Sequence, residues 1–284
     1  MKHTVRLNNG ITVPALGQGS WYLGEDSRRR GQEVEAIRAG IRAGMTLIDT
    51  AEMYGNGAAE EMLGEALNGE DRTKLFLVSK VLPDNAGGPR LKKALEASLH
   101  RMGVKQLDLY LYHWRGNYPL EETVECLEEV KALGLIKAWG VSNFDIDDMQ
   151  ELWRIPEGRN CLVNQVLYHT GSRGIEYSLL PWMRKHHVAL MSYCPLAQAG
   201  SLKHGLFEDS ILKKIAQAHG ASVPQIMLAW NIRDGETIAI PRSGRKAHVL
   251  ENAGADAIEL TADELAAIDR AFPRPDHKLY LDMQ

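Results

Sequence analysis

Short apolar runs alternate with amphipathic helical patterns eight times along this chain, and no other feature of the sequence restricts its fold as strongly. The runs are Ala15 to Ser20, Met45 to Asp49, Leu75 to Lys80, Leu107 to His113, Ala138 to Asn143, Cys161 to Leu167, Ala189 to Cys194 and Thr237 to Arg242. Each has the length of a strand buried on both faces. Between them lie helical stripes: Val34, Ile37 and Ile41; Leu63, Ala66 and Leu67; Leu91, Leu95, Leu99 and Met102; Leu120, Val124 and Leu127. For most of the chain the run ends are about 25–35 residues apart, the size of one βα unit. Strand–helix alternation makes a parallel sheet, and eight units allow it to close into a (β/α)8 barrel. A doubly wound dinucleotide fold would be expected to carry G-x-G-x-x-G after an early strand. Gly17-Gln18-Gly19 begins that pattern, but Tyr22 occupies the third glycine position, so the barrel is the expected fold.

Two elements stand outside the repeat. Thr4 to Val13 is centred on Asn9-Gly10, a strong hairpin dipeptide, and it precedes the first barrel strand, where it could plug the N-terminal end. After the eighth unit a last helix is expected, with Leu265, Ile268 and Phe272 on its apolar stripe, Thr261 as N-cap and Glu264 completing a capping box. The 284 residues show no low-complexity linker, so residues 1–284 are expected to form one domain.

Lys plus Arg number 33 and Asp plus Glu 37, a net charge of −4, which argues against a chain built to hold nucleic acid or an anionic membrane. Three cysteines without a C-x-x-C make a disulfide framework and a cysteine zinc site poor expectations. His186-His187 lacks further ligands at metal spacing, so no metal is expected. With no signal-like apolar segment at Met1 and no stretch of spanning length, a soluble cytoplasmic protein is expected. Oligomeric state leaves no mark in the sequence, and a monomer is consistent with it.

Catalysis in a (β/α)8 barrel takes place at the C-terminal ends of the strands. Asp49, Lys80 and His113 end the second, third and fourth runs, Ser142 and Asn143 the fifth, and Asn164 and Gln165 lie on the sixth. Tyr54 follows Asp49 by five residues, in the loop after the second strand. Taken singly, each has an ordinary structural explanation: an Asp49–Lys80 ion pair, a core histidine, a packing tyrosine. Three ionisable groups at the ends of three successive buried strands are harder to explain that way.

Gly44-Met45-Thr46-Leu47-Ile48-Asp49-Thr50-Ala51-Glu52-Met53-Tyr54-Gly55 resembles the first signature of the aldo-keto reductase superfamily. Leu109 to Trp114, Gly140 to Phe144 and Ile240-Pro241-Arg242-Ser243 resemble its later ones, in family order. The resemblance is greatest to bacterial members that reduce small aldehydes such as methylglyoxal. It implies the (β/α)8 barrel and hydride transfer between a nicotinamide cofactor and a small carbonyl substrate. Residue chemistry agrees. Hydride attack builds negative charge on oxygen, which calls for a proton and a positive field. Tyr54 can give the proton, Lys80 can supply a cation that lowers the phenol pKa, Asp49 can hold Lys80, and His113 can orient the carbonyl. The resemblance assigns these four the same roles.

It also implies that Ser142, Asn143 and Gln165 hold the nicotinamide carboxamide and that Tyr193 stacks on the ring. Leu196 to Leu202, including Ser201, resembles the loop over the pyrophosphate, and Glu251 and Asn252 match adenine contacts. Pro241, Arg242, Ser243, Gly244, Arg245 and Lys246 precede a helix, where backbone N–H groups and three cations could bind phosphate. That favours NADPH over NADH, although a solvated basic loop would read the same. His248 stands where many members carry arginine, and Arg242 replaces the commoner lysine. Trp21, Tyr22, Trp114 and Met53 are candidate substrate walls. The tail after Phe272 is short, so an open pocket of broad specificity is expected. Two other readings stay open: a Schiff-base lyase using Lys80, and a non-catalytic NADPH-binding redox sensor.

Overall fold

The computed structural model describes residues 1–197 and 201–283, with only the backbone of 201–204. Strands β1 (Thr4–Arg6) and β2 (Thr12–Pro14) pair antiparallel, with Val5 opposite Val13. Gly10 takes φ +85° in the turn between them, a conformation that favours glycine. Val5, Leu7 and Val13 are buried in the main core. The hairpin lies against Ala189, Leu190, Gly235 and Glu236, at the N-terminal ends of two barrel strands, as the sequence suggests.

Eight parallel strands follow in sequential order: β3 (Gln18–Gly19), β4 (Leu47–Asp49), β5 (Phe76–Val81), β6 (Leu107–Tyr112), β7 (Ile136–Ser142), β8 (Val163–Leu167), β9 (Ala189–Tyr193) and β10 (Thr237–Ala239). The sheet closes on itself. Gly17 N–H donates to Ala239 O (2.8 Å), Ala239 N–H to Ala15 O (2.8 Å) and Gly19 N–H to Pro241 O (3.0 Å). A Cβ on Gly19 would stand 2.9 Å from Ile240 O, and one on Gly17 2.9 Å from Leu47 O. The Gly17-x-Gly19 pattern thus serves close approach of backbones at the barrel seam, and has no need of a third glycine.

Helices α1 (Arg30–Arg42), α2 (Ala58–Leu67), α3 (Gly88–Met102), α4 (Leu120–Ala132), α5 (Ile146–Leu152) and α6 (Leu179–Lys185) each follow a strand. Ile37, Leu63, Leu91, Leu95 and Leu127 are buried, so the stripes face the sheet. Three helices, α7 (Ser201–Glu208), α8 (Ser210–Ala218) and α9 (Val223–Asn231), separate β9 from β10, and α10 (Lys246–Gly254) follows β10. The expected last helix is α11 (Ala262–Ala271), with the Thr261/Glu264 capping box present and Ile268 fully buried.

Candidate active site

Strand register brings the polar strand ends into one ring. Asp49 ends β4, Lys80 lies near the end of β5, His113 follows β6, Ser142 ends β7, Gln165 lies on β8 and Tyr193 ends β9. Tyr54 reaches the same place because the chain turns sharply after β4: Gly55, Asn56 and Gly57 all have positive φ (56°, 51° and 95°). Two glycines and an asparagine are the residues that tolerate such a run.

Lys80 is fully buried, and its Nζ donates to Asp49 Oδ2 (2.7 Å), Thr50 O (2.8 Å) and the Tyr54 hydroxyl oxygen (3.1 Å). Gln165 Nε2 donates to the other Asp49 oxygen at 2.7 Å. The Tyr54 ring stands edge-on to His113, centroids 5.9 Å apart. Ser142 Oγ donates to Gln165 O (2.8 Å), Asn143 Nδ2 to His113 O (3.1 Å), and the Tyr193 hydroxyl to Asn143 Oδ1 (2.9 Å). Asn143 holds φ +57° to do this. Of the side chains that line the cavity, Ser20 and His113 have an atom, Oγ and Nδ1, buried without a partner among the described residues.

Burial pushes the Tyr54 phenol well above its ordinary pKa of 10, and the Asp49 charge pushes the same way. This differs from the expectation that Lys80 lowers it. The Asp49–Lys80 pair is close to neutral as a unit, so desolvation decides, and the hydroxyl stays protonated. Burial also works against charge on Lys80 and Asp49, whose mutual attraction and hydrogen bonds oppose it. His113 is depressed to about 2 by burial and then by the Lys80 charge, so its ring is neutral at physiological pH.

Above this floor is a cavity of about 230 Å³. Trp21, Met53, Trp114 and Cys194 wall it, together with Tyr193, Asn143 and Arg242. Tyr22, grouped with the substrate walls on sequence, lies elsewhere. It is 53% exposed, stacks on Trp21 at 4.5 Å and lines an adjoining groove with Leu23, Arg29, Gln32, Arg242, Ser243, Gly244, Arg245, His248 and the carboxylate of Glu33, which accepts from Gly24 N–H (2.8 Å). Ser243 Oγ accepts from Arg245 N–H (3.1 Å), and α10 begins without a side-chain cap. Asn252 is buried and Glu251 half-buried on α10, away from the groove lining, and Pro241 O serves the barrel seam. Leu196 packs into the apolar core. Residues 198–200 of the expected pyrophosphate loop, and the side chain of Ser201, lie outside the described residues.

The short tail doubles back along the barrel: Arg274 pairs with Glu176 (3.2 Å), Lys278 with Asp145 (3.3 Å) and Asp147 (3.0 Å), and the Ser172 hydroxyl donates to Asp282. Met283 then joins the cavity wall. A tail without periodicity gives no sequence sign of its path. Arg29, which lines the groove and pairs with Asp26 (3.6 Å), carries no sequence sign of that place, because an arginine before a helix reads as an ordinary solvated charge.

A barrel whose mouth gathers Asp, Tyr, Lys and His has a counterpart among known proteins: the sequence profile of the aldo/keto reductase family matches residues 15–272. The chain belongs to the aldo/keto reductase family. It is 52% identical to methylglyoxal reductase YeaE of Escherichia coli K12 over 98% of each chain, and 33% identical to the glyoxal reductase of Bacillus subtilis 168 over 99% of each. It also superposes, with a TM-score of 0.97 and 51% identity over 100% of each chain, on an aldo/keto reductase from Klebsiella pneumoniae crystallised with NADP and acetate. This aldo/keto reductase is therefore an oxidoreductase on a (β/α)8 barrel. No helix among its described residues is long and apolar enough to cross a membrane.

Proposed function

We propose that this aldo/keto reductase reduces small aldehydes and ketones, methylglyoxal among them, with hydride from NADPH and a proton from Tyr54. The whole chain is read as one barrel domain serving that reaction. The observation that carries the reading is the single Lys80 ammonium in contact with both the Asp49 carboxylate and the Tyr54 hydroxyl on the floor of a small cavity. The substrate class follows the cavity size and the relatives named methylglyoxal and glyoxal reductase.

NADPH, when bound, supplies the hydride. Ser142, Asn143 and Gln165 offer neutral hydrogen-bonding groups suited to a carboxamide, and the Tyr193 ring offers a flat face beside them. The buried, unpartnered Ser20 Oγ is a further polar atom left for a ligand. In the second groove Arg242, Arg245, His248 and Arg29 face one another across a space suited to a phosphate monoester, with the uncapped start of α10 adding N–H donors. That combination favours NADPH over NADH.

As the carbonyl oxygen gains charge, the Tyr54 hydroxyl gives up its proton to it. The raised pKa suits a donor, because the phenol is protonated at every physiological pH and an alkoxide is the stronger base. The phenolate that remains is held by Lys80 at hydrogen-bond distance, and Asp49 keeps that lysine in place. Neutral His113 can donate one ring N–H to the carbonyl oxygen and fix its direction. A Schiff-base role for Lys80 fits poorly, since its Nζ already serves three oxygen partners and has no solvent exposure.

The test is to incubate the protein with methylglyoxal and 4-deuterated NADPH. Label appearing on the alcohol carbon, with slower turnover from NADH, is expected. Consumption of neither cofactor, or trapping of methylglyoxal on Lys80 by borohydride, would overturn the reading.

A further inference from the structure

Glu60 on α2 is a carboxylate with no solvent exposure, and it lies behind the site rather than in it. Its Oε1 accepts from Ser79 Oγ at 2.6 Å, and its Oε2 accepts from Arg101 Nε of α3 at 2.6 Å. Ser79 immediately precedes Lys80 on β5. Strand alternation sends Ser79 outward to α2 and Lys80 inward to Asp49. Arg101 also donates to Ser98 Oγ (3.2 Å) and lies against Gly57, where a Cβ would stand 2.6 Å from Arg101 Cδ. Gly57 closes the turn that carries Tyr54. One buried carboxylate thus joins the strand bearing Lys80 to the turn bearing Tyr54.

We infer that Glu60 is a positioning residue of the reductase site: it fixes the Ser79-Lys80 step of β5 and, through Arg101, the Tyr54 turn. A buried ion pair is weak support for stability alone, because desolvation offsets much of the Coulomb gain. An apolar residue would fill the α2–β5 interface at least as well. The electrostatics point the same way. Burial acts to discharge Lys80, Asp49 opposes it most, and Glu60 adds to that opposition. The other groups facing this region are Arg101 from α3, Glu52 and Tyr54 from the loop after β4, His113 and Cys194 from the mouth, and Tyr110 on β6. The buried Tyr110 hydroxyl has no partner among the described residues. Arg101 is the cation that compensates Glu60, so removing one or the other should act in opposite directions.

The inference rests on the reductase reading, and the test separates the two. The pH dependence of kcat/KM for methylglyoxal with NADPH would be measured for the wild type, Glu60→Gln and Arg101→Gln, beside the KM for methylglyoxal. Glu60→Gln is expected to lower kcat about tenfold through misplacement of the proton donor while leaving KM within about twofold. Loss of its negative charge should move the basic limb of the profile to lower pH by about half a unit, and Arg101→Gln should move it upward. Basic limbs coinciding with the wild type in both variants, whatever happens to Tm, would overturn the inference and leave the reductase reading intact. Absence of wild-type turnover would overturn both. If Glu60→Gln does not fold, the Arg101→Gln limb decides alone.

Discussion

The two ends of the barrel finish the same eight strands in opposite ways. At the bottom, the hairpin closes the barrel with Val5, Leu7 and Val13, all buried. A charged group buried there is well supplied with partners: Asp108 binds Arg72 (2.7 Å), Lys137 (2.8 Å) and the Leu77 N–H (2.8 Å). At the mouth, Tyr22, Asn143, Cys194 and Ala197 hold positive φ without being glycine, against His187 beside the hairpin, and Ser20 Oγ and His113 Nδ1 are buried without partners among the described residues. Strain and unmet hydrogen bonds of this kind each cost about 1–3 kcal/mol and persist where the surrounding structure enforces them. The bottom of the barrel is built for stability, and the mouth is built to receive something.

Substitutions can break that contrast. Lys80→Met would strand the buried Asp49 carboxylate with only Gln165, so about 3–5 kcal/mol of stability should be lost together with turnover. Urea denaturation alongside an NADPH assay would check both; a variant as stable as the wild type would contradict it. Leu7→Ala at the opposite end should cost about 2–5 kcal/mol through the cavity it leaves, with kcat unchanged in the fraction that stays folded. A fall in kcat there would mean that the two ends are not separable.

The mouth should also be the origin of acid sensitivity. His113 is depressed to about 2 and His169, which follows β8, to about 4, both chiefly by burial. Below the unfolded value of about 6.5 the unfolded chain takes up protons that the folded one refuses. Stability should therefore fall as pH drops from about 6.5, by up to about 1.4 kcal/mol per unit for each histidine, with the His169 part complete near pH 4. Melting curves across this range should show a shallower slope in His169→Gln; an unchanged slope would remove that histidine from the explanation. Smallest of all, Thr261→Ala removes the α11 capping box, which contacts no described residue of the cavity, and should cost about 1 kcal/mol without touching activity. A loss of turnover in that variant would show that α11 acts on the mouth.

The same contrast decides what the sequence made legible. Strands buried on both faces are unbroken apolar runs, so Asp49, Lys80 and His113 at their ends stand out against their neighbours. The hairpin and the α11 cap were readable from Asn9-Gly10 and Thr261/Glu264, because local chemistry alone dictates them. Long-range placement was not. Tyr22, at φ +64°, lines the second groove and stacks on the cavity wall at Trp21, a placement no local pattern gives. Met283 reaches the cavity through ion pairs between the tail and α5, which no local pattern encodes. Glu60 sits in an ordinary-looking acidic first turn of α2, and only the contacts with Ser79 and Arg101 distinguish it from the neighbouring Glu61.

The most direct test is Tyr54→Phe, a change that deletes one hydroxyl in contact with Lys80. NADPH binding, followed by fluorescence titration, should remain close to wild type, and Tm should change little. Turnover with methylglyoxal should fall about 10²–10⁴-fold, the usual contribution of a positioned acid. Undiminished turnover with intact NADPH binding would remove Tyr54 from the chemistry and contradict its role as the proton donor at the barrel mouth.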